Sequence, residues 1–123
     1  MKISLSTASG GYLIRAYEKG RLTINEESYA GSLILTPDRL IPDWRPQTVA
    51  ELAAADFEPL MELRPGLVIL GTGASQIFPP PALYAGLLDK GIGVEIMNTP
   101  AACRTYNILM AEGRAVAAAL MML

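Results

Sequence analysis

The run Leu67-Val68-Ile69-Leu70 constrains the fold of this chain more than any other segment. Consecutive apolar residues between Gly66 and Gly71 suit a strand buried on both faces, the pattern of a largely parallel sheet. Parallel strands need a crossover connection, and the sequence supplies one. After Gly71-Thr72-Gly73, prolines at 79 to 81 introduce a helix from about Ala82 to Lys90, Gly91 ends it, and Ile92 to Met97 reads as the next strand. This βαβ unit is expected to be right-handed, with its strands parallel and adjacent or near neighbours. Thr99-Pro100 then supplies an N-cap followed by proline at the first helical position, for a helix running to about Glu112 before Gly113. The tail Ala115–Leu123 suits a helix by alanine propensity or a final strand by its apolar run.

The first half reads differently. Short alternating segments at Ile3–Leu5, Tyr12–Tyr17, Leu22–Ile24 and Ser32–Thr36 predict an antiparallel meander, reversed tightly at Glu18-Lys19-Gly20 and more loosely from Asn25 to Gly31. Pro37, Pro42 and Pro46 break regular structure in a connector whose Trp44 should pin it to the core. Thr48 and Glu51 have capping-box spacing for a short helix from about Val49 to Ala55. Asp56 can cap a second helix carrying Pro59, Leu60, Met61 and Leu63, ended by Gly66. A single α/β domain over residues 1–123 follows, with N-terminal antiparallel strands and a C-terminal βαβα unit.

Composition narrows the function classes. Ten Lys plus Arg against twelve Asp plus Glu is too balanced for a phosphate-backbone partner, so no nucleic acid is expected. One cysteine, Cys103, cannot form an internal disulfide, and no apolar signal core follows Lys2, so the cytoplasm is the expected location. The Ala115–Leu123 run is under half of the roughly 20 residues a transmembrane helix needs. Apolar residues make up 51% of the chain and charged residues 18%, which favours a surface covered by a partner or by a weak homodimer. The chain has no histidine and no Cys/His cluster, and the isolated carboxylates Asp89, Glu95 and Glu112 suggest no paired acid and base, so neither metal nor cofactor nor catalytic residue is indicated.

In an open α/β sheet, ligands sit outside the carboxyl ends of parallel strands. Here that position holds Gly71 to Ser75, including Thr72 and Gly73, and Asn98 to Pro100, where Thr99 opens a helix whose amides favour an anion. A small anion or carboxylate between these loops, with Cys103, Thr105 and Asn107 on the following helix, defines the candidate crevice at 71–75 and 98–107. The plainer reading is that the glycines only let the chain turn; the Gly-Lys-Ser/Thr of a phosphate loop is missing. Cys103 lies in the first helical turn, where the dipole lowers a thiol pKa, but no histidine is present to act as its base, and a small buried hydrophobe is favoured. Asn107 is an uncomfortable mid-helix residue, expected to tie the helix to a neighbouring loop. Glu112 and Arg114 form a candidate ion pair across Gly113.

Two stretches, GTG at 71–73 and NTPAACRTYNILMAEGRAV at 98–116, together with SLILTP at 32–37 and Trp44, resemble a family of small uncharacterised proteins. That family includes the mitochondrial respiratory complex I assembly factor 3 and an adipogenesis-associated protein. The resemblance implies a three-layer domain with a mixed central sheet, favours a strand for the tail, and implies no established catalytic activity. Asn98 stands where the family pattern has aspartate, so a role needing negative charge there is in doubt. The leading expectation is a non-catalytic accessory or assembly protein, with membrane-complex subunits among its candidate partners. The alternative is a small-molecule binding protein or enzyme using the crevice.

Overall fold

The computed structural model describes residues 11–123; the strand expected at Ile3–Leu5 lies outside them. Strand β6 (Leu67–Thr72) lies between β7 (Gly93–Met97) and β8 (Val116–Met121) and runs parallel to both, with Leu67 opposite Gly93 on one side and Val116 on the other. β8 pairs antiparallel with β4 (Leu33–Leu35), and β4 with β5 (Leu40–Ile41), giving a mixed sheet in the order β5-β4-β8-β6-β7. The expected adjacency of the two βαβ strands is therefore present, and β8 takes the middle position.

The apolar run explains this placement. Val68, Ile69 and Leu70 are fully buried and alternate between the two sheet faces. On one face, Ile69, Ala118 and Leu120 meet Ala102, Cys103 and Tyr106 of α3 (Thr99–Ala111). On the other, Val68, Leu70, Ala117 and Ala119 meet Trp44, Phe57, Leu60 and Leu87 from the short-helix layer. Burying one such large apolar side chain contributes about 1.5–3 kcal/mol, so this two-faced core dominates the favourable side of folding. The tail is a strand because Gly113 (φ +80°) ends α3 and β6 requires a second partner. Sheet pairing overrides the helix propensity of the alanines.

The N-terminal meander is a separate three-stranded sheet, β1 (Ile14–Glu18), β2 (Arg21–Ile24) and β3 (Glu27–Tyr29). Two expectations are corrected here. The reversal after β2 is tight rather than loose, because Asn25 adopts φ +52°, a left-handed conformation asparagine tolerates, and β3 follows at once. The segment around Ile34 leaves the meander for the five-stranded sheet, since its Leu-Ile-Leu is buried on both faces and a two-layer meander covers only one.

The connector contains β5 between Pro37 and Pro42, and Trp44 anchors it as expected. The indole lies edge-on to Phe57 at 6.2 Å between centroids and donates Nε1–H to the Asp56 carbonyl at 2.9 Å. The helices beyond it are shorter than the sequence suggests. Val49–Glu51 is a single 3-10 turn in which Thr48 makes no side-chain cap, and Glu51 instead accepts the Gln47 N–H at 3.0 Å. Asp56 is not the cap of a second helix. It closes a 3-10 turn at Ala54–Phe57 by accepting the Ala53 N–H at 2.8 Å, and α1 follows at Glu58–Leu63. The crossover is a 3-10 turn at Pro81–Tyr84 leading into α2 (Ala85–Asp89), not one continuous helix. Tyr84 departs from helical geometry, with its ring edge-on to Phe57 at 6.4 Å.

Candidate functional site

β6 and β7 run parallel, so the loops after them share one end of the sheet. The structure brings Gly71, Thr72, Gly73, Asn98 and Thr99 together there, with the end of β8 alongside. Thr99 is fully buried and zips the three strand ends. Its hydroxyl accepts the Gly73 N–H at 2.8 Å and donates to the Met121 carbonyl at 2.5 Å, while its own N–H donates to the Gly73 carbonyl at 2.8 Å.

Thr99 is not the helix cap, which is a correction to the sequence reading. Asn98 takes that role, its Oδ1 accepting the Ala101 N–H at 2.8 Å. Pro100 has no N–H, and the Ala102 N–H donates to the Asn98 carbonyl at 2.9 Å. The opening amides of α3 are thus engaged within the protein. An asparagine cap does this through a neutral oxygen.

The two glycines have distinct reasons. At Gly71 a Cβ would lie 3.0 Å from Thr99 Oγ1 and from Leu120 Cδ2, and 3.1 Å from Ala102 Cβ, so glycine permits close packing of α3 on β6. Gly73 has φ +95°, which excludes most side chains on backbone grounds. Thr72 organises the loop that follows. Its hydroxyl donates to the Ser75 carbonyl at 2.5 Å, lies 3.2 Å from the Met97 carbonyl, and accepts the Ile77 N–H at 3.1 Å.

The remaining candidates fall elsewhere. Cys103 is 1% exposed within the core, and burial pushes its thiol up to about 12, with Arg104 opposing the shift. Desolvation outweighs the helix dipole, so the side chain is a protonated apolar filler. Asn107 lies two helical turns beyond Thr99 and faces β1, not the loops. Its Oδ1 accepts the Ile14 N–H at 3.0 Å and its Nδ2 donates to the Ile14 carbonyl at 2.8 Å, so it ties the helix to a strand edge. Thr105 is half-buried on the same helix. Glu112 and Arg114 approach to 4.0 Å with both side chains more than half exposed. An exposed pair of this kind contributes about 0–1 kcal/mol. Among the described residues, no group of three or more metal-ligating side chains comes together.

Two features escaped the sequence reading. Ile77 and Phe78, on the loop fixed by Thr72, are 47% and 68% exposed. The available signal was that no charged residue occurs from Pro65 to Leu88, from Ile96 to Cys103 or from Ala115 to Leu123. The loops within these segments lie at the carboxyl ends of β6, β7 and β8, and the exposed Asp43 and Arg45 stand at the same end of the sheet, where the Trp44 N–H donates to the Ser32 carbonyl beside the Leu33–Leu120 pair. The second feature is a cavity of about 670 Å³ at the opposite end, lined by Met61, Glu62, Arg64, Pro65, Lys90, Gly91 and Ile92, so that one carboxylate stands beside its two cations. Its cations follow the ends of α1 and α2, where basic side chains complement the helix dipole.

Fold and site together define a small three-layer α/β domain with a mixed sheet, whose strand-end crevice is closed by its own hydrogen bonds. The chain belongs to the family described as "Protein of unknown function (DUF498/DUF598)", whose pattern it matches over residues 14–121. It is 30% identical over 122 residues to the Danio rerio protein named NADH dehydrogenase (ubiquinone) 1 alpha subcomplex assembly factor 3, covering 98% of this chain and 70% of that one. It is 27% identical to a Francisella tularensis protein named "13 kDa major membrane protein", covering 83% and 84% of the two chains. A crystal structure of a Bordetella parapertussis protein superposes with a TM-score of 0.87 at 35% identity, over 94% of this chain and 99% of that one. The family resemblance read from residues 71–73 and 98–116, and the three-layer mixed-sheet fold it implied, are both present.

Proposed function

We propose that this chain is a non-catalytic accessory protein of the assembly-factor type, which meets protein partners through the loop after β6 that exposes Ile77 and Phe78. The observation that carries this reading is the exposure of Ile77 and Phe78 on a loop held by Thr72. An exposed aromatic beside an exposed aliphatic residue, on a loop that carries no charge of its own, matches the core of a protein interface. Relatives named as assembly factors of an NADH dehydrogenase, and one named as a membrane protein, support membrane-complex subunits as the partner class. No described helix is long and apolar enough to cross a membrane, which fits a protein that acts on such a complex rather than as a spanning part of it.

The test is affinity capture of the native chain from its own cells, comparing wild type with Phe78→Asp and Ile108→Asp. Wild type and Ile108→Asp should recover the same membrane-complex subunit, and Phe78→Asp should lose it. Equal recovery by all three would refute the assigned surface. The other reading, a small-molecule (anion or carboxylate) binding protein or enzyme using the crevice at 71–75 and 98–107, draws less support, because the amides of Gly73, Thr99 and Ala101 have protein acceptors. Amide shifts clustering at those residues on titration with sulfate, phosphate or acetate would revive it.

A further inference from the structure

We infer that the cavity at the amino ends of β6 and β7 binds a small monocarboxylate carried on an apolar body, with the carboxylate held between Arg64 and Lys90. The site lies at the far end of the sheet from the docking loop and does not depend on it. Its volume of about 670 Å³ falls in the range of small-molecule sites, roughly 300–1,000 Å³. Buried Pro65 and Ile92 and half-buried Met61 supply apolar surface, while Glu62 and Arg64 at the end of α1 and Lys90 at the end of α2 supply the charges. The helix-end carbonyls, which would repel an anion, are already engaged. The Arg64 N–H donates to the Met61 carbonyl at 3.2 Å, the Lys90 and Ile92 N–H groups to the Leu87 carbonyl at 3.0 Å, and the Gly91 N–H to the Leu88 carbonyl at 3.0 Å. Glu62 does not neutralise either cation, because among the described residues the ion pairs are Arg45–Asp56 and Arg114–Glu112. Asp89 is exposed next to Lys90 but does not line the cavity. One excess positive charge therefore faces the hollow. A carboxylate balances it, whereas a phosphate monoester at about −1.5 to −2 would overshoot.

The backbone of Arg64 carries the argument further. With φ +53° and ψ +51° it ends α1 in the left-handed region, where helices commonly place glycine and an L side chain is disfavoured. Stability alone selects against arginine here, whereas a planar guanidinium that grips a carboxylate through two N–H donors accounts for it. The cavity adjoins a second one of about 370 Å³, and Arg64 and Pro65 line both. Leu63, Pro37 and Val116 line the second hollow together with Asp38, whose carboxylate accepts the Thr36 hydroxyl at 3.0 Å. An apolar body extending past Pro65 finds apolar surface there, but a second negative group at its far end meets Asp38. The site therefore selects ligands with one carboxylate over those with two.

Titration of the full chain with octanoate, followed by amide shifts in NMR spectra, tests the inference. Saturable shifts should cluster at residues 61–66 and 90–92, with half-saturation on the order of 1 mM or below. Octanamide keeps the body without the charge, and sulfate keeps charge without the body. Each should bind at least about tenfold more weakly than octanoate, and so should octanedioate. Arg64→Gly should weaken octanoate binding about tenfold or more while the urea midpoint holds or rises, since glycine takes the left-handed conformation readily. Lys90→Gln, at an exposed position, should also weaken binding with the backbone of α1 untouched, and Glu62→Gln should tighten it. Asp38→Asn should bring octanedioate closer to octanoate. Absence of saturable shifts at those residues with about 10 mM octanoate would overturn the site. Undiminished binding by Arg64→Gly or by Lys90→Gln would take the carboxylate away from that pair and overturn it equally. Sulfate or octanamide binding as tightly as octanoate would overturn the ligand class.

Discussion

Thr99 and Gly73 are bonded reciprocally: the Gly73 N–H donates to the Thr99 hydroxyl at 2.8 Å, and the Thr99 N–H donates to the Gly73 carbonyl at 2.8 Å. The same hydroxyl donates to Met121, so one buried oxygen joins the ends of β6 and β8 to the start of α3. Thr99→Val keeps the shape but leaves the Gly73 amide and the Met121 carbonyl without that partner. Each unsatisfied buried group costs about 1–3 kcal/mol, so the variant should lose about 2–5 kcal/mol in urea unfolding. Thr99→Ser should recover most of the loss.

Asn107 supplies both hydrogen bonds that the backbone of Ile14 makes to α3. Asn107→Ala should destabilise the meander more than the main sheet. Amide hydrogen exchange should show Ile14, Leu22 and Ile24 losing protection while Ile69 and Leu70 retain theirs. Equal loss throughout would mean that the two sheets unfold as one unit.

Cys103 couples stability to alkaline pH. Burial raises its thiol from the ordinary value near 9 to about 12, so the folded chain holds the proton that the unfolded chain releases first. The resulting stability is complete below about pH 9 and is lost as pH rises from 9 toward 12. The difference in urea midpoint between wild type and Cys103→Ala should accordingly shift against wild type between pH 8 and pH 10. At pH 7 the native thiol should react with a disulfide reagent at the rate of unfolding, far more slowly than in urea.

Asp56 gives the opposite dependence. Its carboxylate is held below the usual range chiefly by its hydrogen bonds to the Arg45 guanidinium, and further by the Ala53 N–H, with partial burial opposing. A depressed folded pKa contributes stability that is present above the ordinary carboxylate value and lost as pH falls through the folded one. Asp56→Asn should therefore lower the thermal midpoint at pH 6 and converge with wild type as the pH falls below 4.

Filling Gly71 addresses packing alone. Gly71→Ala places a methyl about 3.0 Å from Thr99 Oγ1 and Leu120 Cδ2, so α3 must shift away from β6. Overpacking of this kind costs about 1–3 kcal/mol, readable as a lower urea midpoint.

Much of the second half was legible because its signals are local. The Leu67–Leu70 run, the prolines before α2, Gly91 and Gly113 mark element type and ends through backbone sterics and burial on both faces. The candidate site was legible in part. Gly71–Gly73 and Asn98–Thr99 do converge, as strand parallelism requires, but Thr99 turns inward to Met121, a residue of a strand that spacing could not position. Asn107 showed its discomfort in a helix without showing that Ile14, far away in sequence, would satisfy it.

The sequence by itself determined which segments must be buried on both sides, where glycine and proline end elements of the second half, and that the chain has no histidine. Tertiary structure alone decided that the alanine-rich tail is the central strand, that Leu33–Leu35 leaves the meander to pair with it, and that Ile77 and Phe78 are exposed on the loop after β6. The physical reason is range. Steric and capping preferences act over a few residues, whereas strand partners and the composition of a surface depend on contacts between segments that only the closed fold brings together.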